Sequence, residues 1–140
     1  MIVEELYQRT IEAWNKRDAD ALAELFILDG EAVGFDGSTY TGRGAIGERM
    51  RAIFAQHETP PYTAKIQGVT TVTTDVAIVR AIAGMIPKGK SDFDPKLHAQ
   101  MRLTAVLRGG DWRIALLQTT PAQYHEEPDG PAKHTAALKA

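Results

Sequence analysis

The chain has 140 residues with 16 basic and 18 acidic side chains, which is the size of one domain built on one core. Its formal net charge of −2 gives no electrostatic basis for binding nucleic acid or an anionic membrane, and the lack of cysteine excludes disulfides and thiolate chemistry. We expect no signal peptide and no membrane span, so a cytoplasmic protein is the default expectation.

The first 57 residues are dominated by helical spacing. Apolar and amphipathic positions between Val3 and Trp14 recur every three or four residues, which predicts a first helix over residues 2–16. Asp18 is a suitable N-cap for a second helix, which we expect to bury Phe26 and to end at Asp29-Gly30. A third helix is predicted over the apolar stripe from Ile46 to His57, before Thr59-Pro60-Pro61 stops it.

A short hairpin separates the second and third predicted helices. Residues 31–35 and 38–41 have strand character, and Asp36-Gly37 between them is a strong turn dipeptide. In the order of elements, this hairpin comes just before the helix that is predicted to begin after Gly42-Arg43-Gly44.

The second half of the chain predicts two long hairpins. Strands are expected over residues 62–73 and 76–86, and then over 96–108 and 112–119 beyond a polar loop at 87–95. Most of these runs exceed the usual strand of ~5–6 residues, so the sheet should curl. The prediction is an α+β fold in which a cone-shaped, curved antiparallel or mixed sheet encloses a cavity and packs against the three helices. Residues 1–128 would form this domain, and residues 129–140 a disordered tail.

The alternation of side chains along the last two strands predicts which of them face the cavity. Trp112, Ile114, Leu116 and Gln118 would share one face, with Gln118 as an orienting hydrogen-bonding group at the end of an apolar row. In the preceding strand, the polar face that carries His98 can pack on its own copy, which predicts a homodimer through the sheet face.

Through three groups of residues, the chain resembles members of the nuclear transport factor 2-like superfamily, and within it the SnoaL-like branch of the SgcJ/EcaC type. The groups are Ala13-Trp14-Asn15 with Asp18 and Ala21, then Tyr40-Thr41-Gly42-Arg43-Gly44-Ala45-Ile46, and finally Trp112-Arg113-Ile114-Ala115 with Gln118-Thr119-Thr120-Pro121-Ala122. The resemblance covers residues 1 to about 127 and implies a cystatin-like α+β barrel with an apolar cavity, usually as a homodimer, often in secondary metabolism. Members of this branch often carry Asn where this chain has Thr119.

The resemblance implies no single reaction, because function resides in the site grafted onto the scaffold. Our first hypothesis is binding, with or without conversion, of a small hydrophobic metabolite such as a polyketide-like or other carbonyl compound. The alternative is a non-catalytic dimeric binding or accessory module. The candidate ligand pocket consists of Trp14, Tyr40, Phe54, Met101, Trp112 and Gln118.

If the protein is an enzyme, we expect cofactor-independent proton transfer of the isomerase, cyclase, dehydratase or hydrolase type. The candidate catalytic residues are His98 as a base near neutral pH, and Asp36 with Tyr40 as an acid and an oxyanion-holding phenol. The competing interpretations are that His98 lies on the rim or the dimer face, and that Asp36 is only a turn residue.

No metal or nucleotide cofactor is predicted. Gly42-Arg43-Gly44 lacks the third glycine of a dinucleotide-binding loop and follows a hairpin. His125 beside Glu126 and Glu127 matches no familiar set of metal ligands. Arg80 either points into the cone toward an anionic partner or faces outward on its convex side.

Overall fold

The computed structural model describes residues 2–140, and its first half contains three helices. They are α1 (Val3–Asn15), α2 (Ala19–Glu24) and α3 (Arg43–Gln56). The carboxylate of Asp18 accepts a hydrogen bond from Ala21 N at 3.0 Å, so the predicted N-cap of α2 is confirmed.

Six strands form one mixed sheet in the order β2-β1-β6-β5-β4-β3. Neighbouring strands are antiparallel except for β1 and β6, which run parallel. The outer strands β2 and β3 are not paired with each other, so the curved sheet stays open, and α1 to α3 pack against it. The predicted α+β fold is confirmed. The strands are β1 (Phe26–Val33), β2 (Thr39–Thr41), β3 (Tyr62–Thr73), β4 (Val76–Met85), β5 (Ala99–Arg108) and β6 (Asp111–Pro121), with a 3-10 turn at Pro95–Leu97.

The predicted course of the second helix was wrong after Glu24. Phe26 begins β1 instead of continuing the helix, because it pairs in register with Ile114 of β6, and Ile114 N donates to Leu25 O at 2.8 Å. Gly30 lies inside this strand rather than at a helix end. A Cβ there would lie 3.0 Å from Ile114 O, so the glycine lets β1 approach β6 closely.

The predicted alternation along β6 was wrong beyond Ile114. Ile114 pairs with Ala105 and Leu116 with Thr104. Because Thr104 and Ala105 are adjacent in β5, Ala115 is an extra residue in β6 without a partner. Such a β-bulge shifts the phase of all later side chains by one position. Leu117 and Thr119 therefore face the interior, and Gln118 is exposed on the outer face opposite Arg102.

The segment expected to be a disordered tail forms a fourth helix, α4 (Gly130–Lys139). It packs on the outer face of the sheet beside β4, β3 and the 3-10 turn, where His134 and Leu138 are buried. Gly84 makes this contact possible, because a Cβ there would lie only 2.5 Å from Leu138 Cδ1.

The core lies between α1, α3 and the concave face of the sheet. Its largest side chains include Leu6, Tyr7, Phe26 and Leu103, all nearly inaccessible to solvent. The Tyr7 hydroxyl donates to Met101 Sδ at 3.2 Å and joins α1 to β5. In residues 2–140, none of the helices has both the length and the apolar character needed to cross a lipid bilayer.

Candidate functional site

A cavity of about 350 Å³ lies between the concave face of the sheet and the helices α1 and α3. This volume falls at the lower end of the range typical for small-molecule sites, ~300–1,000 Å³. Most of its wall is apolar, and it opens beside the β1–β2 turn and the C-terminal end of α3. The apolar wall is built from Ile11, Trp14, Leu22, Phe26, Ala32, Val33, Phe35, Ile46, Met50, Ile53, Met101 and Leu117.

Trp14 forms one side of the cavity and is held in place from three directions. Its Nε1 donates to Pro60 O at 3.4 Å, and its ring contacts those of Phe54 and Tyr62 at centroid distances of 5.2 and 5.3 Å. Phe54, predicted as a pocket residue, does not line the cavity. It packs against Trp14 as an edge-to-face neighbour and therefore supports the wall from outside it.

The loop after α3 is attached to the turn after α1 by Arg17. This residue has a positive φ of 57° and its guanidinium donates to His57 O at 2.8 Å and to Thr59 Oγ1 at 2.7 Å, as well as to Phe54 O. His57 and Thr59 both line the cavity at its mouth. Arg17 thus restrains the rim of the opening without entering the cavity.

Besides Tyr40 and Thr59 at the mouth, three residues with a hydroxyl group line the cavity: Thr10, Tyr62 and Thr119. Thr10 Oγ1 is occupied, because it donates to Leu6 O at 2.7 Å. Within residues 2–140, the hydroxyls of Thr119 and Tyr62 have no hydrogen-bond partner among protein atoms, although both residues line the cavity. Burial raises the pKa of the Tyr62 phenol to about 12, so it remains a proton donor at neutral pH. The interior can therefore orient a ligand oxygen.

Two of the predicted catalytic residues, Asp36 and Tyr40, lie together at the mouth. The Asp36 carboxylate accepts from Ser38 N and from Ser38 Oγ, both at 3.0 Å, and it closes the β1–β2 turn with Gly37 at φ 87°. These hydrogen bonds, assisted by the Arg49 charge, hold the pKa of Asp36 below its usual range. A carboxylate with a lowered pKa is a weak proton acceptor.

Arg49 also lines the mouth, and it was not among the predicted site residues. Its guanidinium lies over the ring of Tyr40 at 5.7 Å from the centroid. The helical spacing of residues in α3 could have identified Arg49 as a site residue. Arg49 falls three residues after Ile46 and four before Ile53, so it shares the stripe of α3 that faces the cavity.

Three further predicted site residues lie elsewhere. Trp112 sits near the β5–β6 turn, seven residues before Thr119, which is roughly 20 Å along an extended strand. Gln118 is turned outward by the bulge at Ala115. His98 does not line the cavity. It immediately precedes β5 and lies on the outer face of the sheet, beside Gly84 of β4.

His98 instead belongs to a buried cluster beneath α4. Its ring stacks on that of His134 at 4.1 Å, and its Nε2 lies 2.8 Å from Thr135 Oγ1. His134 Nε2 lies 2.9 Å from Ala83 O, and its Nδ1 lies 2.6 Å from the Tyr124 hydroxyl. Because a carbonyl only accepts, Nε2 of His134 carries a proton. Burial lowers the pKa of this imidazole, so the ring is neutral at neutral pH and its Nδ1 accepts from the Tyr124 hydroxyl.

The charged residues around the cavity limit the kinds of metal ion or ligand that it could bind. No grouping of three or more His, Asp or Glu residues suited to a metal ion occurs in residues 2–140. Arg80 faces outward, where its guanidinium donates to Thr70 Oγ1 at 2.5 Å and covers Gly68. Arg49 is therefore the single arginine among the residues that line the cavity in the described part of the chain.

Solved structures of other proteins share this fold. A domain of unknown function with a cystatin-like fold from Nostoc punctiforme aligns with a TM-score of 0.81 at 18% identity, over 89% of this chain and 77% of that chain. An uncharacterized cystatin-like protein from Caulobacter vibrioides aligns at 0.68 and 22% identity, over 99% and 96%. A ketosteroid isomerase-like protein from Erwinia carotovora atroseptica aligns at 0.70 and 19% identity, over 87% and 95%.

Identities this low demonstrate a common fold and nothing about activity. No curated protein matches the chain. The family model for the SnoaL-like domain, however, matches residues 3–121, which include every strand and the helices α1 to α3. The chain therefore belongs to the SnoaL-like domain family.

Proposed function

We propose that this protein binds a small hydrophobic molecule inside its cone. The observation that carries the proposal is the cavity of about 350 Å³, with an apolar wall and a few convergent polar groups. A mostly apolar ligand body would gain roughly 25 cal/mol for each Å² removed from water. The hydroxyls of Thr119 and Tyr62 would orient one oxygen of the ligand.

A polyketide-like or other carbonyl compound suits these groups, because a carbonyl oxygen accepts hydrogen bonds and a phenol held protonated donates one. Placement in the SgcJ/EcaC branch, with a role in secondary metabolism, is supported by Trp112-Arg113-Ile114-Ala115 and by the run from Gln118 to Ala122.

Binding without chemistry is better supported than catalysis. Asp36 is the only carboxylate among the described residues that line the cavity, and both of its oxygens accept hydrogen bonds from Ser38. Its lowered pKa makes it a poor base for removing a proton from carbon. Tyr40 beside it could hold an oxyanion, so proton transfer on a carbonyl compound is the second candidate function.

A matched pair of substitutions tests ligand binding. Thr119 faces the cavity, and Thr120, the next residue of β6, is exposed on the opposite face. We expect Thr119→Phe to fill the cavity and to reduce the binding of the neutral dye Nile red at least tenfold, whereas Thr120→Phe binds it like the unmodified protein. Thermal unfolding of both variants checks that they are folded. Equal dye binding by the unmodified protein and Thr119→Phe would contradict the proposal.

We also propose that two copies associate through the outer sheet face. Thr104, Ile78 and Leu116 form a partly exposed row across three strands of this face. In the next row, Arg80 and Arg102 are direct cross-strand partners, and like charges in such positions destabilise a sheet unless an acid compensates them. The Glu31 carboxylate belongs to the same face, opposite Leu116. A second copy related by two-fold symmetry could bring its own carboxylate to this arginine pair.

A further inference from the structure

Arg49 is a cation at the mouth of the apolar cavity, and in residues 2–140 no acidic side chain forms an ion pair with it. Within residues 2–140 its guanidinium makes no hydrogen bond and no ion pair, whereas Arg51 on the same helix pairs with Asp20 at 2.7 Å. Arg17, at the other side of the rim, is satisfied by backbone carbonyls and Thr59. The donors of Arg49 thus remain available beside the opening.

The ring of Tyr40 lies beside these donors, and both residues line the cavity. A guanidinium that lies over an aromatic face keeps its N–H groups in its own plane, where they form a fork that matches the two oxygens of a carboxylate. The cation–π contact also limits the side chain to fewer rotamers, so less entropy is lost when an anion binds.

Asp36 is the nearest competing anion, but it is engaged elsewhere. Its two carboxylate oxygens accept from the backbone and the hydroxyl of Ser38, each at 3.0 Å. Asp36 and Arg49 influence each other by charge, yet they form no ion pair. The carboxylate of Asp36 would therefore repel a bound anion without occupying the donors of Arg49.

We infer that the ligand is an amphipathic carboxylate, with its apolar body in the cone and its carboxylate on Arg49 at the mouth. This inference rests on the proposed function and narrows its ligand class. An anionic end at the rim also avoids the cost of burying a charge in the apolar interior, because the mouth stays accessible to water.

Three ligands of matched shape test the inference. Phenylhexanoate, phenylhexanol and phenylhexylamine share one apolar body and differ in the charge of the end group. By displacement of Nile red and by isothermal titration calorimetry, we expect the carboxylate to bind about tenfold more tightly than the alcohol, as one charge-assisted pair would provide. The amine should bind more weakly than the carboxylate, because Arg49 attracts the anion and repels the ammonium group.

Substitutions at the mouth test whether Arg49 causes the preference for the carboxylate. Arg49→Gln should remove the preference for the carboxylate while leaving the affinity for the alcohol within about twofold, and Arg51→Gln is the matched control on the same helix. Asp36→Asn should tighten carboxylate binding, because the amide keeps an oxygen for Ser38 N and loses the repelling charge.

The outcomes separate the two proposals. If the three ligands bind equally, or if the preference survives Arg49→Gln, the inference is overturned while binding in the cone still stands. If Nile red binds in the cavity but none of the three ligands displaces it, the inference is again overturned. If neither Nile red nor any of the three ligands binds, both proposals are overturned.

Discussion

The imidazole rings of His98 and His134 stack 4.1 Å apart, with an interplanar angle of 15°, beneath the C-terminal helix. Only 1% and 3% of the two residues is exposed. Two imidazolium cations at this distance would repel each other, and burial disfavours the charged form of each ring, so this contact depends on both rings being neutral. The pair joins the 3-10 turn before β5 to α4.

The first prediction concerns pH. Burial lowers the pKa of both imidazoles below their ordinary value of 6.5, and for His98 the neighbouring His134 lowers it further. Because the unfolded chain binds protons at higher pH than the folded chain does, the stability from this pair is complete above about pH 6.5. It is lost as the pH falls through the lowered folded pKa values.

We therefore expect the free energy of unfolding in urea to decrease below about pH 6.5. Hydrogen exchange should show that the amides of α4 lose protection before those of β5. The variant His134→Gln is expected to flatten this pH dependence, whatever its effect on stability at pH 7.5, since it removes one titrating ring. An unchanged pH profile in that variant would contradict the assignment to this pair.

The second prediction concerns the contact between β4 and α4. In Gly84→Ala, the new methyl group would approach Leu138 Cδ1 at 2.5 Å and His98 Nδ1 at 3.1 Å, so we expect a loss of about 1–3 kcal/mol in the free energy of unfolding. Gly44→Ala in α3 is the control. A Cβ there meets nothing within 4 Å, and alanine favours a helix, so this variant should be equally or more stable.

The third prediction tests the proposed dimer. Leu116→Glu places a charge in the row of Ile78 and Thr104 on the outer sheet face, and we expect it to convert the dimer to monomer in sedimentation equilibrium. Val72→Glu, at a position 54% exposed near the end of β3, should leave the dimer intact. A monomeric unmodified protein, or a dimer that Leu116→Glu leaves unaffected, would contradict association through this face.

The fourth prediction concerns the start of α2. Asp18→Ala removes the acceptor for Ala21 N, and the loss of such an N-cap typically costs about 1 kcal/mol. Chemical denaturation should record this decrease. Asp20→Ala breaks only the exposed pair with Arg51 and should change the free energy of unfolding by less than about 0.5 kcal/mol. Equal effects of the two substitutions would contradict the capping role.

Local chemistry predicted a large part of this fold. The cap at Asp18, the turn at Asp36-Gly37 and the long hairpins depend on residues close together in the chain, and each was found within a few residues of its predicted place. The apolar stripe of α3 was also predicted, and Ile46, Met50, Ile53 and His57 of that stripe line the cavity. Arg49 was missed because only the apolar positions of this stripe were considered.

The sequence by itself thus determined the order of elements from α1 to β6 and the curled sheet, because turn residues, caps and alternation act over a few positions. Only the tertiary structure decided that Phe26 begins a strand, that the bulge at Ala115 turns Gln118 outward and Thr119 inward, and that residues 130–139 form a docked helix. Each of these depends on a partner distant in the chain: Ile114 for Phe26, the β5 register for Ala115, and Gly84 with His98 for α4. Pairing and burial against such partners outweigh local preference, which differs by only about 1 kcal/mol between alternatives.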